Sequence, residues 1–507
     1  KQIKESTSLV DIRWRSMKPK AIPGDSFTDK MAGRAERSPL LAQNGQKGSD
    51  TMSQKADLTT GPITTTMLRF ALPMILGNLL QQFYNVADTF IVGQFLGAGA
   101  LAAVGSSYTL MTFLTSILLG MSMGSGAVFS IRYGEREMAK LKNSMVQSFV
   151  MIAGFTLVLN LLVFLLIDPM MGLLSVPDDV YPLMRDYLWV IFFGIGGTFL
   201  YNYFASLLRA VGNSAAPLLF LGISAVLNIV LDVVFVVGIP WGVAGAAFAT
   251  CLSQWLSGLG LLLYTWKKMP QLRPGRQDFR WGKESVLEIT RFSLLTCIQQ
   301  SVMNFGILMV QGLVNSFGTV VMAAFAAAVK IDSFAYMPVQ DFGNAFSTFI
   351  AQNYGARESQ RIRKGLKSAV LCSVGFSLVV SALVFVFAKP LLLLFVKPWE
   401  TEILAVGVQY LRIEGAFYWG IGGLFLLYGL YRAIQRPGMS LVLTVISLGT
   451  RVVLAYALAA VPAIGVVGIW WSVPIGWMLA DAVGLLYYKK IQGGLLKGGP
   501  APGKEAG

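Results

Sequence analysis

The stretch LLQQFYNVADTFIVGQFLG, residues 79–97, decides the fold class of this chain. It continues an apolar run that begins near residue 67, and it carries a single carboxylate, Asp88. A helix needs about 20 mostly apolar residues to cross a lipid bilayer. The run therefore predicts a membrane-spanning helix with an acidic side chain inside it, which is a costly arrangement that usually serves a function.

The composition of the whole chain also indicates a membrane protein. Of its 507 residues 55% are hydrophobic and 13% are charged, whereas soluble proteins use about 25% charged residues. The absence of histidine excludes HExxH zinc motifs and Ser-His-Asp triads. The cysteines Cys251, Cys297 and Cys372 show no metal or disulfide spacing. We therefore expect neither enzymatic activity nor a bound cofactor.

Apolar runs of spanning length occur twelve times. Their predicted bounds are 67–93, 101–129, 144–167, 187–208, 216–238, 243–265, 291–314, 319–350, 366–388, 404–430, 438–460 and 465–488. The predicted fold class is an all-α integral membrane protein with twelve transmembrane helices in two six-helix bundles.

Charge alternates between successive connections. RYGEREMAKLK, KKMPQLRPGRQDFRWGK, ARESQRIRKGLK and YRAIQRPG are basic, whereas GQFLGAGA, GIPWGVAG, NSFGTV and VPAIGVVG carry no Lys or Arg. Because excess Lys and Arg marks the cytoplasmic side, both termini are predicted to be cytoplasmic. The formal net charge of +15 thus reflects membrane orientation, and we expect no nucleic-acid partner.

Polar ends and one basic connection divide the chain. Residues 1–58 are predicted to form a disordered tail, and Met52 is typical of a natural start, so residues 1–51 are interpreted as an upstream artefact or a dispensable tail. Residues 59–266 are predicted to form the amino-terminal lobe, 267–290 a cytoplasmic linker, 291–490 the carboxy-terminal lobe and 491–507 a flexible tail.

The two halves repeat each other at an offset of about 221–223 residues. RYGEREMAKLK from Arg132 matches NYGARESQRIRKGLK from Asn353, and YLWVIFFGIGG from Tyr187 matches YLRIEGAFYWGIGG from Tyr410. Six spans per repeat give both repeats the same orientation. A pseudo-twofold axis along the membrane normal follows, an arrangement that suits two bundles rocking around a central cavity.

Polar side chains converge in the first bundle. Asp88 lies roughly 12 Å past the middle of its span at about 1.5 Å per residue, and Asn228 and Asp232 share one face of the fifth span. Thr250 and Tyr84 fall at a similar depth. No Lys or Arg accompanies them, so an exchangeable H⁺ or Na⁺ is predicted at Asp88, Asn228, Asp232 and Thr250. The structural alternative is that both carboxylates merely meet water or helix ends near the interface.

The second half lacks this set, because Arg451 replaces Asn228 and Ala455 replaces Asp232 in the alignment. One cation site, in the first half, is therefore predicted. The balanced charges of the second half favour internal ion pairs such as Arg451 with Glu414. The candidate polar or substrate-contacting residues of the second half lie in the seventh, eighth and eleventh spans. They are Gln299, Gln300, Lys330, Asp332 and Arg451.

Two features of the spans predict helix geometry. Pro73 removes a backbone hydrogen bond in the first span, and both a static kink and a bend that responds to Asp88 remain open. Gly120 and Gly124 have the small-xxx-small spacing of tight helix packing.

The motifs FALPMILGNLLQQFYNVADTFIVGQFLG, YGxRE, LLRAVGN and LNIVLD resemble those of the MATE family of multidrug and toxin extrusion transporters, prokaryotic type, over about residues 57–490. The resemblance implies two lobes and export of organic cations in exchange for Na⁺ or H⁺. It carries the family's amino-lobe site onto Pro73, Tyr84, Asp88, Asn228, Asp232 and Thr250. Other members have a glutamate in the seventh span, where this chain has Gln299 and Gln300.

The function expected from the sequence is a cation-coupled antiporter that exports organic, cationic amphiphilic drugs or toxins by alternating access. We expect a monomer that spans a bacterial plasma membrane many times and binds small organic substrates and the lipid bilayer. The alternatives are a lipid-linked oligosaccharide flippase, which would use Arg451, Arg412 and Lys330, a membrane-embedded enzyme, and a channel or receptor.

Overall fold

The structure is a computed structural model that describes residues 57–173, 176, 178 and 180–495. Residues 1–51, interpreted above as an artefact or dispensable tail, lie outside the described residues. The regular structure in the described residues is helical throughout, as predicted. The α-helices are α1 (Ile63–Leu96), α2 (Ala98–Gly134), α3 (Met138–Leu165), α4 (Ile167–Leu173), α5 (Tyr181–Ile191), α6 (Ile195–Ala210), α7 (Ala215–Asp232), α8 (Gly242–Lys268), α9 (Lys283–Asn315), α10 (Thr319–Gly355), α11 (Ser359–Leu392), α12 (Thr401–Gly415), α13 (Tyr418–Ala433), α14 (Pro437–Ala459) and α15 (Val466–Leu495).

Eleven helices or helical runs in the described residues are long and apolar enough to cross a membrane, and α12 with α13 forms a twelfth span bent by 49°. The twelve predicted spans are therefore confirmed. The fourth span consists of α5, a 3₁₀ turn at Phe192–Gly194 and α6. This turn and the α12–α13 break occupy equivalent positions in the two repeats. A π-helical turn, Val233–Gly238, extends α7.

The internal repeat is visible in the backbone conformation. Eight residues at helix ends adopt a left-handed conformation with positive φ in four pairs that are 221 or 223 residues apart. The pairs are Gly97 with Gly318, Arg136 with Arg357, Gly212 with Gln435, and Gly242 with Gly465. A left-handed residue ends a helix by turning the chain away from its axis. The two repeats thus start and stop their helices at matching points.

We call α1–α8 the first half and α9–α15 the second half. Each half has its own buried apolar cluster. The first helix of each half, however, also contributes side chains to the cluster of the other half. Met67 and Phe70, near the start of α1, belong to the core of the second half. Cys297 of α9 belongs to the core of the first half. Apolar side chains on α3 and α11, such as Leu157 and Leu371, are exposed and provide surface for lipid.

The halves meet along a closely packed seam between α2 and α9. A Cβ atom added at Gly120 would lie 2.5 Å from the Cα of Cys297, and one at Gly124 would lie 2.6 Å from the Cα of Ser293. Ser125 and Ser293 share a hydrogen bond of 2.9 Å across the seam. The tight packing predicted from the spacing of these glycines is confirmed.

The segment before α1 bridges the basic loops of both repeats. Asp57 accepts a hydrogen bond of 2.8 Å from Arg136, and the carbonyl of Leu58 accepts bonds of 3.1 Å from Asn353 and Arg361. Leu58 is 0% exposed. These two residues fall in the predicted tail, but they pack against the body of the protein because Leu58 fills an apolar site there. We call residues 57–62 the basic-end strap.

Partial burial of Asp57 would raise its pKa, but hydrogen bonds from Thr59 and Arg136 outweigh this effect and lower the pKa below 3.8. The carboxylate is therefore ionised at neutral pH and holds the strap to Arg136.

The connection between the halves is also ordered. Asn143 of α3 donates hydrogen bonds to the carbonyls of Asp278 and Arg280 at 2.9 and 2.6 Å. The following helix, α9, begins at Lys283 rather than near the predicted residue 291. At the other end, α15 continues to Leu495, past the predicted boundary at residue 490.

Candidate functional site

A cavity of about 410 Å³ lies between the two halves. This volume suits a drug-sized organic molecule. Side chains from both halves line it. The polar residues include Asn78, Tyr84, Asp88, Asn202, Arg209, Thr250, Gln254, Gln300, Gln340, Asp341, Asn344, Ser347 and Arg432.

The structure brings the predicted first-half residues together. The carboxyl groups of Asp88 and Asp232 lie within hydrogen-bonding reach of each other. Asn228 donates a hydrogen bond of 3.2 Å to the hydroxyl of Thr250. Tyr84, one turn before Asp88 on α1, lies beside its carboxyl group. Asp88 and Thr250 line the cavity, whereas Asp232 lies behind them and is 0% exposed.

This pocket is short of hydrogen-bond donors. In the described residues Asp88 Oδ1, both carboxyl oxygens of Asp232 and Asn228 Oδ1 are buried and accept no hydrogen bond. Buried polar atoms in native proteins nearly always have a partner. Four acceptors that converge without donors form a site that a proton or a hard cation could satisfy.

No positive side chain neutralises the pocket. Among the described residues, no lysine or arginine forms an ion pair with Asp88 or Asp232. Those residues also contain no group of three or more acidic, cysteine or histidine side chains of the kind that holds a metal ion. The pocket therefore contains two carboxyl groups without a positive partner among the described residues.

Sequence reasoning missed Tyr187 at this site. Tyr187 on α5 stands close to both Asp88 and Asp232 and lines the cavity. The repeat contained the signal, because the equivalent residue of the second half, Tyr410, donates a hydrogen bond of 2.6 Å to another buried carboxylate, Asp332.

Pro73 lies in the wall of the cavity, within a helix that continues unbroken from Ile63 to Leu96. The helix therefore keeps its α-helical course across the proline. Asn78, one turn further along, donates a hydrogen bond of 2.6 Å to Asp341 of α10. This bond joins the two halves and was not foreseen, since neither residue was grouped with the other in the sequence.

The second-half candidates are dispersed. Gln300 lines the central cavity, and Gln299 lines a small side pocket next to it. Lys330 is exposed and lies 5.8 Å from the ring centre of Phe395. Asp332 and Arg451 do not line the cavity.

Asp332 belongs to a separate buried cluster. It accepts hydrogen bonds from Tyr410 and Tyr418 and contacts Glu414, while Arg451 contributes a nearby positive charge. The predicted ion pair of Arg451 with Glu414 does not form, because no nitrogen of Arg451 comes within 4.0 Å of a described carboxylate. The tyrosine hydroxyls, rather than the guanidinium group, hold this cluster together.

The profile of the MatE family matches residues 73–234 and 294–457. This chain belongs to the MatE family. The two matched segments fall in the two halves, so the family pattern occurs twice along this MatE chain, in agreement with the repeat.

Relatives and solved structures extend this result. The probable multidrug resistance protein YpnP of Bacillus subtilis is 31% identical to this MatE protein over 436 residues, or 85% of this chain and 96% of the relative. The FAD transporter of Shewanella oneidensis is 28% identical over 444 residues, or 84% and 94%. An outward-facing multidrug resistance MATE family transporter has a TM-score of 0.82 at 24% identity and covers 88% and 99% of the two chains. That likeness shows the two-lobe fold.

Proposed function

We propose that this protein is a cation-coupled antiporter that exports organic molecules from a bacterial cell by alternating access, with H⁺ or Na⁺ as the coupling ion. The observation that carries the proposal is the pair of contacting carboxyl groups, Asp88 and Asp232, without a positive partner beside a large central cavity. We further propose a monomer with both termini in the cytoplasm and no catalytic activity.

The relatives support the choice of substrate. They are named for multidrug resistance and for FAD transport, so organic molecules of drug size or larger are the substrates that we infer. The flippase alternative is not favoured, because the relatives are named for multidrug resistance, multidrug export and FAD transport. The basic residues first considered for it, Arg451, Arg412 and Lys330, do not line the cavity, although Arg209 and Arg432 do.

The conformation of the protein supports alternating access. The contacts between the halves named above lie at the middle of the helices or towards the basic loops: Asn78 with Asp341, Ser125 with Ser293, and the strap. Asp88 lines the cavity further from these loops. Since the basic loops are proposed to be cytoplasmic, we infer an outward-facing state in which the coupling ion enters from outside.

Coupling requires that the ion prefer one state over the other. Asp88 is on α1, which also carries Pro73 and Asn78 in the cavity wall. Uptake of an ion removes the repulsion between Asp88 and Asp232 and draws α1 towards α7. The same helix lines the substrate site. The position of α1 that favours the bound ion is therefore not the position that favours the bound substrate.

The proposal is tested with purified protein in proteoliposomes, where a pH gradient and a Na⁺ gradient are imposed separately and ethidium efflux is followed by fluorescence. We expect the wild type to respond to at least one gradient and Asp88→Asn to lose at least tenfold of that rate, which corresponds to ~1.4 kcal/mol of coupling. Asp186→Asn, an exposed acid of the same half, is the control. Full gradient-driven efflux by Asp88→Asn refutes the proposal.

A further inference from the structure

Two arginines occupy equivalent positions in the repeats and face the same cavity. Arg209, in LLRAVG near the end of α6, and Arg432, in LYRAIQ near the end of α13, are 223 residues apart, and each precedes a left-handed residue by three positions. Both line the central cavity. The internal symmetry thus delivers one guanidinium group from each half to the wall of the same cavity.

Arg432 is buried without a negative partner. It is 6% exposed, and its Nε and Nη2 donate hydrogen bonds to Ser347 Oγ at 3.3 Å and Asn344 Oδ1 at 3.0 Å. Both acceptors are neutral, and Arg432 forms no ion pair with any described residue. Since a buried charge is stable only when it is paired, the guanidinium group lacks an anion.

Arg209 is similarly unpaired. Its Nε atom is buried and has no hydrogen-bond partner in the described residues. Among the described acids, Asp341 has an electrostatic interaction with Arg209, but the two side chains do not form an ion pair. Asp341 is already held by Asn78. Two arginines against one aspartate leave this part of the cavity with an excess of positive charge.

We propose that Arg209 and Arg432 form a subsite that binds the acidic group, a carboxylate or a phosphate, of an organic substrate. An arginine matches either group with two parallel donors. The remaining cavity, with its amides and tyrosines, holds the organic part. This inference rests on the proposed export function and changes its expected substrates from organic cations alone to organic anions and zwitterions.

The subsite is separate from the coupling pocket. In the part of the chain that the structure describes, neither Arg209 nor Arg432 forms an ion pair with Asp88 or Asp232. A substrate with a basic group as well as an acidic group can therefore place its two charges against different parts of the same wall, the cation towards Asp88 and the anion towards Arg209 and Arg432.

The test is equilibrium binding of two dyes to the purified protein without any ion gradient, measured by fluorescence anisotropy. Carboxyfluorescein is the anionic probe and ethidium the cationic probe. We expect Arg209→Gln to weaken carboxyfluorescein binding about 10- to 100-fold, the range for one charged hydrogen bond, and to bind ethidium at least as tightly as the wild type, because a positive charge has been removed from the cavity wall. Arg209 donates no described hydrogen bond, so this variant removes a charge without breaking a contact.

Three further variants sharpen the test. Arg432→Lys keeps the charge but loses the paired donors, and we expect a partial loss of carboxyfluorescein binding. Asp341→Asn removes the opposing charge and is expected to tighten that binding. Arg412→Gln changes an exposed arginine outside the cavity and is expected to have no effect.

The inference is overturned if the wild type does not bind carboxyfluorescein, if Arg209→Gln binds it as tightly as the wild type, or if both dyes weaken equally. Because binding is read without a gradient, loss of gradient-driven efflux in the earlier experiment would leave this result standing. Conversely, failure of the subsite leaves ethidium antiport intact.

Discussion

Asp232 is fully buried, and neither of its carboxyl oxygens accepts a hydrogen bond in the described residues. Its contact with Asp88 brings two acids together in an apolar bundle, which costs free energy unless a proton or cation is shared between them. In the proposed antiport, the bound proton or ion would remove this cost, so the pocket is expected to be more stable when it is occupied.

We predict that Asp232→Asn stabilises the folded protein while it reduces gradient-driven efflux at least tenfold. The asparagine amide can donate to Asp88, which should raise the free energy of unfolding by about 1–3 kcal/mol. Thermal unfolding at pH 7 and ethidium efflux measure the two effects.

The comparison is Asp332→Asn in the second half. Its carboxylate contacts Glu414, as Asp232 contacts Asp88, but it also accepts hydrogen bonds from Tyr410 and Tyr418. The same substitution there relieves one acid–acid contact but weakens satisfied hydrogen bonds, so its unfolding temperature should rise less than that of Asp232→Asn, or fall. Equal destabilisation by the two variants would contradict our interpretation of the first-half pocket.

At this scale the sequence identified the acids but not their whole surroundings. Asp88 and Asp232 were recognisable because a charge in an apolar span is rare and costly. Tyr187, Arg209 and Arg432 were not, because tyrosine and arginine near span ends have many ordinary uses. Only the packing of helices from different parts of the chain shows that these side chains face one cavity.

The seam between α2 and α9 is the clearest case in which the packing of one element depends on single residues. Gly120 and Gly124 let the two backbones meet directly, since any side chain there would overlap the partner helix. Serines on both sides add one hydrogen bond. The seam is thus held by close contact of small groups, as in other membrane helix pairs.

We predict that Gly124→Val forces α2 and α9 apart and lowers the free energy of unfolding by about 1–3 kcal/mol or more, the cost of overpacking. The comparison is Gly105→Val on the same helix, where an added Cβ would meet nothing within 4 Å. Thermal unfolding of both variants in detergent measures the difference. Similar stability for the two would show that the seam does not depend on close approach.

The positions of the membrane-spanning helices were the most predictable feature of this fold. Hydropathy located all twelve spans, because the bilayer requires long apolar helices whatever their neighbours are. It did not find the break between α12 and α13 or the early start of α9. Those features depend on tertiary contacts and on local turns rather than on the average apolarity of a segment.

At the scale of the whole molecule, the basic-end strap joins the loops of both repeats. Asp57 pairs with Arg136, whereas Arg357, which has the same left-handed conformation in the other repeat, forms no ion pair with any described residue. Arg136 and Asp57 are 60% and 32% exposed, so their interaction is screened by water. The duplicated loops have therefore become chemically unequal.

We predict that Arg136→Ala is less stable than Arg357→Ala by about 0.2–1 kcal/mol at pH 7, the range for exposed pairs. Because the pKa of Asp57 is lowered in the folded protein, this difference is present above pH 3.8 and disappears as the pH falls through the lowered pKa. Urea unfolding of both variants at a series of pH values from 7 down to 2 measures it. A difference that does not decline at all as the pH falls below 3.8 would exclude the ion pair as its source.

The crossing of the leading helices has a mechanical consequence. The start of α1 is anchored in the core of the second half, whereas its far end carries Asp88 against the first half, and the helix is continuous between them. The two ends of this helix thus pack against different halves of the protein. In the proposed antiport, a proton or ion bound at Asp88 would therefore act on the second half through this one continuous helix, without a relay of separate side chains.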